Sequence, residues 1–364
     1  MIDTKYAAAA VLLAAACSTS AEPPAGTGPG VAPDLALAPE LEAQVSGTNA
    51  LLIAVSVVDS LVVWASGANG TWVRTVDGGT TWRAGVVPGA EALQFRDVHA
   101  LDPSNAWLLS IGEGEQSRIY RTRDAGATWT LQFTNREARG FFDCFGFWDA
   151  NTGFAFSDSF DGRFLLMETT NGGATWTEVP PSRLPPANPG EGSFAASGTC
   201  VAVHGDSRAW IGTGASPAGA RVLRTTDRGR TWQVATTPIV AGDAAGIASV
   251  AFRDANHGAA LGGDMGAPTA RTDNVALTAD GGATWQLGGR PTFAGAVYGA
   301  AWVPRAPRPT LVAVGPGGVS VSDDGGRAWT PIDSLTHWGI GMAAPDRGWI
   351  VGPRGRIHRI RIFR

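Results

Sequence analysis

Six polar side chains recur in a frame that invites an acid–base reading. Asp77, Asp124, Asn171, Asp227, Asp280 and Asp324 each stand third in an eight-residue pattern, Ser/Thr-x-Asp-x-Gly-x-x-Trp, over 75–82, 122–129, 169–176, 225–232, 278–285 and 322–329, with Asn replacing Asp at 171. The neighbours decide the chemistry. An Asp or Asn oxygen folds onto nearby backbone N–H groups, the Gly takes positive φ, and the Trp offers a large apolar face. These are the parts of a tight corner between two strands. The six residues are therefore read as turn formers rather than general acids, with each Trp packing on its own sheet.

The elements that must position these corners follow from their spacing. The central residues lie 47, 47, 56, 53 and 44 positions apart, the length of a four-stranded blade of a β-propeller. Seventeen positions before the central residue, Trp107, Phe154 and Trp210 each follow a small residue and open an apolar run that reads as a blade's second strand. After the last corner, residues 338–342, 346–352 and 356–360 supply a further blade that lacks the pattern. A chain of 364 residues with 49 Gly and 16% charged residues suits many short strands and tight turns. The expected fold is all-β, a seven-bladed β-propeller over residues 46–364. An unpaired outer edge would expose backbone donors and acceptors. Residues 40–46, ahead of a first inner strand at 51–58, are therefore expected to pair with the last blade and close the ring.

Ahead of that domain, residues 1–17 carry one Lys, ten apolar residues over 7–16, and Cys17 followed by Ser-Thr-Ser. So short an apolar run cannot span a bilayer. The run Leu12-Leu13-Ala14-Ala15-Ala16-Cys17 resembles a bacterial lipoprotein signal, with Ala14 where Leu is usual. The resemblance implies cleavage, lipid attachment at Cys17, and a place on the periplasmic side of the envelope, in the outer membrane. Residues 18–45, rich in Ala, Pro and Gly, read as a flexible tether.

Composition removes several function classes. A net charge of −4, with no basic cluster interleaved with aromatics, gives nucleic acid no foothold. Apart from Lys5 every basic residue is Arg, which excludes Schiff-base and P-loop lysine chemistry from the mature chain. His99, His204, His257, His337 and His358 show no ligand spacing and no cysteine partner, so no metal is expected. No Gly-x-Ser-x-Gly elbow is present, the Gly-rich stretch 315–318 reads as a turn, and no cofactor is expected. Cys144 and Cys200 lie 27 positions before Asn171 and Asp227, at equivalent inner-strand positions of neighbouring blades. Export permits a disulfide. Rotation about the ring, however, points both side chains the same way, which favours two buried thiols.

The phrase Phe147-Trp148-Asp149-Ala150-Asn151-Thr152-Gly153-Phe154, followed by Thr170-Asn171-Gly172-Gly173-Ala174-Thr175-Trp176, resembles the repeat of the photosystem II stability/assembly factor family. Similar phrases stand at 252–258 and 346–349. The resemblance covers residues 46–364 and implies a seven-bladed propeller that binds protein clients without catalysis. It carries fold rather than partner, since many such relatives occur in bacteria that lack photosynthesis. The corner pattern, the Asp-box, also occurs in sialidases and in xyloglucan-type glycoside hydrolases, so glycan binding or cleavage is the alternative. A sialidase-like site needs an early Arg-Ile-Pro, three arginines and a tyrosine nucleophile. No Arg precedes Arg74, Arg-Ile-Pro is absent, and Tyr120 fills a repeated strand slot, which leaves Tyr298 without its arginines. A xyloglucanase-type cleft between two propellers needs a longer chain.

Strand alternation puts the Asp-boxes on one face and the blade-to-blade connections on the other, where propeller function usually sits. The longest connection there, 180–193, is stiffened by prolines. Asp158, Asp161, Arg163, Glu191 and Asp264 are read as a candidate partner-binding acidic rim on that face. Arg354, Arg356, Arg359, Arg361 and Arg364, with Asp346 as the nearby acid, form a candidate basic patch for acidic protein loops or anionic headgroups. Alternation with Ile360 and Ile362 is what a half-exposed strand gives, and favours the reading of a charged, protected edge. The expected partner is a protein client of a monomeric propeller, with membrane contact through the lipid alone.

Overall fold

The structure is a computed structural model and describes residues 36–363. They form seven antiparallel four-stranded sheets. Six of these blades run in chain order from the ring's inner strand to its outer one, as in blade 1: Leu52–Val57, Val63–Gly67, Thr71–Thr75 and Arg83–Val86. The inner strands of blades 2 to 7 are Phe95–Ala100, Phe142–Phe147, Val201–His204, Ala245–Phe252, Gly299–Trp302 and Gly339–Ala344. Second strands such as Ala106–Ser110 are buried at every position. Both of their faces are covered, so they read as continuous apolar runs rather than alternating ones.

What covers them is the next blade. One apolar cluster joins Trp64 and Trp72 of blade 1 to Phe95, Leu108 and Tyr120 of blade 2, and another joins Trp210 and Val222 of blade 4 to Ile247 and Ala260 of blade 5. The Asp-box tryptophans belong to these seams, which corrects the expectation that each packs on its own sheet. Trp129 of blade 2 lies 6.2 Å from Trp64 and 5.9 Å from Trp72 of blade 1, and Trp232 of blade 4 lies 5.4 Å from Phe154 of blade 3. A large aromatic buries more area wedged between two sheets than laid on one.

Blade 7 takes three strands from the C-terminal end, Gly339–Ala344, Arg347–Gly352 and Arg356–Phe363, and its outer strand, Leu37–Gln44, from the other end of the chain. Leu37–Gln44 pairs antiparallel with Arg356–Phe363, from Leu37 opposite Phe363 to Gln44 opposite Ile357. The tether expected through residue 45 is thereby corrected, because 37–44 is strand. Pro39 lies at a register break between Leu37 and Glu40, where an outermost strand tolerates a residue without an N–H. The same strand reaches forward to blade 1, where Trp82 Nε1 donates to Gln44 Oε1 at 3.0 Å. The signal segment, Cys17, the tether as far as residue 35, and Arg364 lie outside the described residues.

Cys144 and Cys200 are joined in a disulfide, with Cα atoms 6.2 Å apart, and both are fully buried. This corrects the reading of two separate thiols. Equal spacing from the Asp-box did not mean equal placement. Cys144 lies within its inner strand, whereas Cys200 stands just before its own, where the chain is still crossing from blade 3.

Candidate functional site

On the Asp-box face the corners are near-copies. Thr75 Oγ1 donates to Asp77 Oδ1 at 2.8 Å and accepts from Gly79 N at 2.9 Å, while Thr81 donates to Asp77 through its N (2.9 Å) and its hydroxyl (2.6 Å). Thr278, Asp280, Gly282 and Thr284 repeat the arrangement. These hydrogen bonds stabilise the carboxylate. The Thr81 hydroxyl foremost holds Asp77 at a pKa of about 2, and the Thr284 hydroxyl does the same for Asp280. Such groups are fixed anions and cannot deliver protons near neutrality.

The opposite face is built differently. The 179–200 connection does not stand up as a rim loop. Its last residues reach across the ring. Arg96 Nη1 of blade 2 donates to Ala195 O at 3.0 Å, Ser197 Oγ donates to Tyr298 O beside blade 6 at 2.6 Å, and Thr199 Oγ1 donates to Ser249 Oγ of blade 5 at 2.8 Å. The Arg96 guanidinium also lies 5.0 Å from the ring of Trp338, which packs 4.9 Å from Tyr298. Gly198 has φ +74°, and a Cβ there would stand 2.4 Å from Asp97 Oδ1. Close approach and backbone conformation both require glycine at this position.

Beneath this plug lie three carboxyl groups. Asp97 and Asp143 are buried on the inner strands of blades 2 and 3, and Asp158 is half-buried on the second strand of blade 3. Burial pushes Asp97 well above the carboxylate range despite the hydrogen bond from Phe145 N at 2.9 Å. Burial, then the charge of Asp158, does the same to Asp143, and burial raises Asp158 against the donor Ser193 N at 2.9 Å. Asp143 and Asp158 stand close enough that the charge of one opposes ionisation of the other, and Asp143 Oδ2 is buried without a hydrogen-bond partner. Asp97 and Asp143 were missed in the sequence. Their signal was an acid inside an apolar inner strand, as in Phe142-Asp143-Cys144-Phe145.

The residues read as an acidic rim do not form one. Glu191 is fully buried, paired with Arg221 (Nε at 2.8 Å) and accepting from Thr213 Oγ1 at 2.6 Å and Asn188 N at 2.8 Å. The prolines fold this connection back onto blade 4, and a buried acid needs a cation. Asp158 joins the covered cluster. Asp161 pairs with Arg139 at 2.8 Å and Arg163 with Glu178 at 2.7 Å, while Asp264 accepts from Gly266 N at 2.8 Å in its own turn. The basic patch is likewise corrected. Arg359 is ion-paired with Glu42 and Arg361 with Glu40 at 3.2 Å across the closing strand, and Arg356 Nη1 donates to Thr336 O at 2.7 Å, leaving Arg354 exposed at the turn. Tyr298 has Arg96 beside it, but burial raises its phenol pKa, which opposes a nucleophile's role. The expectation of scattered histidines is corrected at one place, where Asp333, His337 and His358 converge.

A recess of about 710 Å³ opens on the Asp-box face between the inner-strand ends of blades 4, 5 and 6. It is lined by Phe252, Arg253, Trp302, Pro304, Arg305 and Pro307, among others, and Arg253 and Arg305 are exposed. The Arg253 guanidinium stands 5.6 Å from the Trp302 ring, and Arg305 is steadied on Ala343 O at 2.9 Å. Sequence reasoning missed this site because it looked to the other face.

No protein-family model matches the chain, and no curated protein matches it. Solved structures do. YCF48 bound to D1 peptide aligns with a TM-score of 0.57 at 18% identity, covering 88% of this chain and 96% of that one. YCF48 from Cyanidioschyzon merolae gives 0.58 at 18% identity, covering 88% and 98%. The WD40 beta propeller domain of Doa1 gives 0.57 at 14% identity, covering 90% and 97%. At these identities the likeness establishes the propeller fold.

Proposed function

We propose that this chain is a non-enzymatic protein-binding propeller of the cell envelope that holds an extended segment of a client in the recess between blades 4, 5 and 6. The carrying observation is that recess. Its Trp302 and Phe252 supply apolar area, prolines keep it stiff, and Arg305 presents a cation beside Arg253, which is shared with Asp254 of the same lining at 3.3 Å. Trp and Arg are enriched among the residues that dominate binding energy at protein interfaces. A client segment of matching chemistry is acidic with apolar or aromatic side chains. A similar propeller solved with a peptide bound, YCF48, supports the reading. Asp143 is buried and Asp158 is held by Ser193 N of the plug, so neither carboxyl opens onto a face where a substrate of size could reach it. The proposal extends to location: export, with a lipid on Cys17 holding the domain to the outer membrane. The Cys144–Cys200 disulfide supports an oxidising compartment.

Fluorescent acidic-aromatic peptides and their basic counterparts, titrated into the full chain, test the site. The acidic set is expected to bind, and the variant Arg253→Glu/Arg305→Glu to bind it at least about tenfold more weakly, or about 1.4 kcal/mol. Equal binding by the variant, or retention and cleavage of a glycan panel, overturns the reading.

A further inference from the structure

We propose that Asp333, His337 and His358 form a zinc site at the junction of blades 6 and 7. Asp333 ends the outer strand of blade 6, Thr330–Asp333, and His337 lies in the connection four residues on. His358 lies on Arg356–Phe363 of blade 7, opposite Ala43 of the closing strand. The fold brings one ligand atom from each to within 4.8 Å of the others. Asp333 Oδ2 is 2.9 Å from His337 Nε2, and the two imidazole rings stand 5.5 Å apart. The His337 side chain is fully buried, and the Nδ1 atoms of both His337 and His358 are buried without a hydrogen-bond partner. Buried ring nitrogens left unpaired are costly, and a bound cation is one way to satisfy them.

The donor set selects the ion. Two imidazoles and one carboxylate suit Zn²⁺, whereas Ca²⁺ and Mg²⁺ need several oxygens. Arg356, held on the Thr336 carbonyl, adds an opposing charge nearby, which further disfavours an ion bound by electrostatics alone. His358 also borders a cleft of about 420 Å³ formed by residues 43–49 and 354–358, which gives an entry path. Three protein ligands leave a coordination position for water. An ion here ties the outer strand of blade 6 to the strand that receives the closing strand, so binding adds to the ring's stability.

Full-length protein stripped with EDTA and titrated with CoCl₂ and ZnCl₂ provides the test. The expected result is one ion per chain, a visible Co²⁺ spectrum that Zn²⁺ bleaches, and a Tm raised by Zn²⁺ but not by MgCl₂. Since replacing buried His337 risks the fold, Asp333→Asn and His358→Gln are the informative variants. Each is expected to weaken affinity at least about tenfold while keeping the native circular dichroism spectrum. Absence of a Co²⁺ spectrum, undiminished binding by the double variant, or loss of binding only on replacing His204 and His257 overturns the proposal.

Discussion

The two faces of the ring treat the same side chain in opposite ways. At the corners, aspartates stand in solvent, satisfied by threonine hydroxyls and backbone N–H groups, and are held ionised down to a pKa of about 2 at Asp77 and Asp280. Beneath the plug, Asp97, Asp143 and Asp158 are pushed upward by burial. Repetition placed charge where a strand corner supplies donors. Positions outside the corner pattern enclosed it with fewer donors, one backbone N–H each for Asp97 and Asp158, or with an ion-pair partner, as Arg221 is for Glu191. The raised carboxyls stand on strands of blades 2 and 3, at positions where the repeat pattern itself places no acid.

The sharpest way to separate the faces is to remove a partner from the buried side. Arg221→Ala leaves Glu191 enclosed without its cation, and is expected to cost about 3–5 kcal/mol in urea unfolding. A loss below 1 kcal/mol, typical of an exposed pair, would erase the distinction.

Acidity probes both faces at once. The folded pKa values of Asp97, Asp143 and Asp158 are raised, so their contribution to stability is full below the unfolded value near 4 and is lost as pH climbs through the folded values. Asp77 and Asp280 are depressed, so theirs is full above that value and fades as pH falls toward about 2. Thermal melts across pH should therefore decline on the alkaline limb, and Asp143→Asn should flatten that limb while leaving the acid one. An unchanged alkaline limb would mean that Asp143 is not the buried acid described.

The smallest effect belongs to the repeated face. Ala125 adopts φ 65° where Gly78, Gly172, Gly281 and Gly325 stand in other corners. Ala125→Gly removes a steric penalty and should raise stability by about 0.5–1 kcal/mol. Destabilisation would show that the corners are less interchangeable than their hydrogen bonds imply.

This contrast explains what could be read from the sequence. Corners, blade number and second strands were legible because Asp, Gly and Trp recur at a fixed period, and each copy corroborates the others. The closing strand was read from the need to cover an edge, but its first residues were taken for tether because Ala36 and Pro39 match the composition before them. The rim failed because burial of Glu191 depends on Arg221, which no periodicity links to it. The basic patch failed because Glu40 and Glu42 neutralise it from the far end of the chain. The histidine cluster was half visible in the Asp333 and His337 spacing, yet His358 arrives only through the fold.

Glu42 and Arg359 meet across 317 positions of sequence. During synthesis, Leu37–Gln44 emerges long before the strand that receives it exists, so the circle cannot shut until Arg356–Phe363 has been made. A chain stopped early keeps a bare sheet edge, the kind of surface that chaperones and proteases find. Ring closure thus doubles as a check that all seven blades have been made.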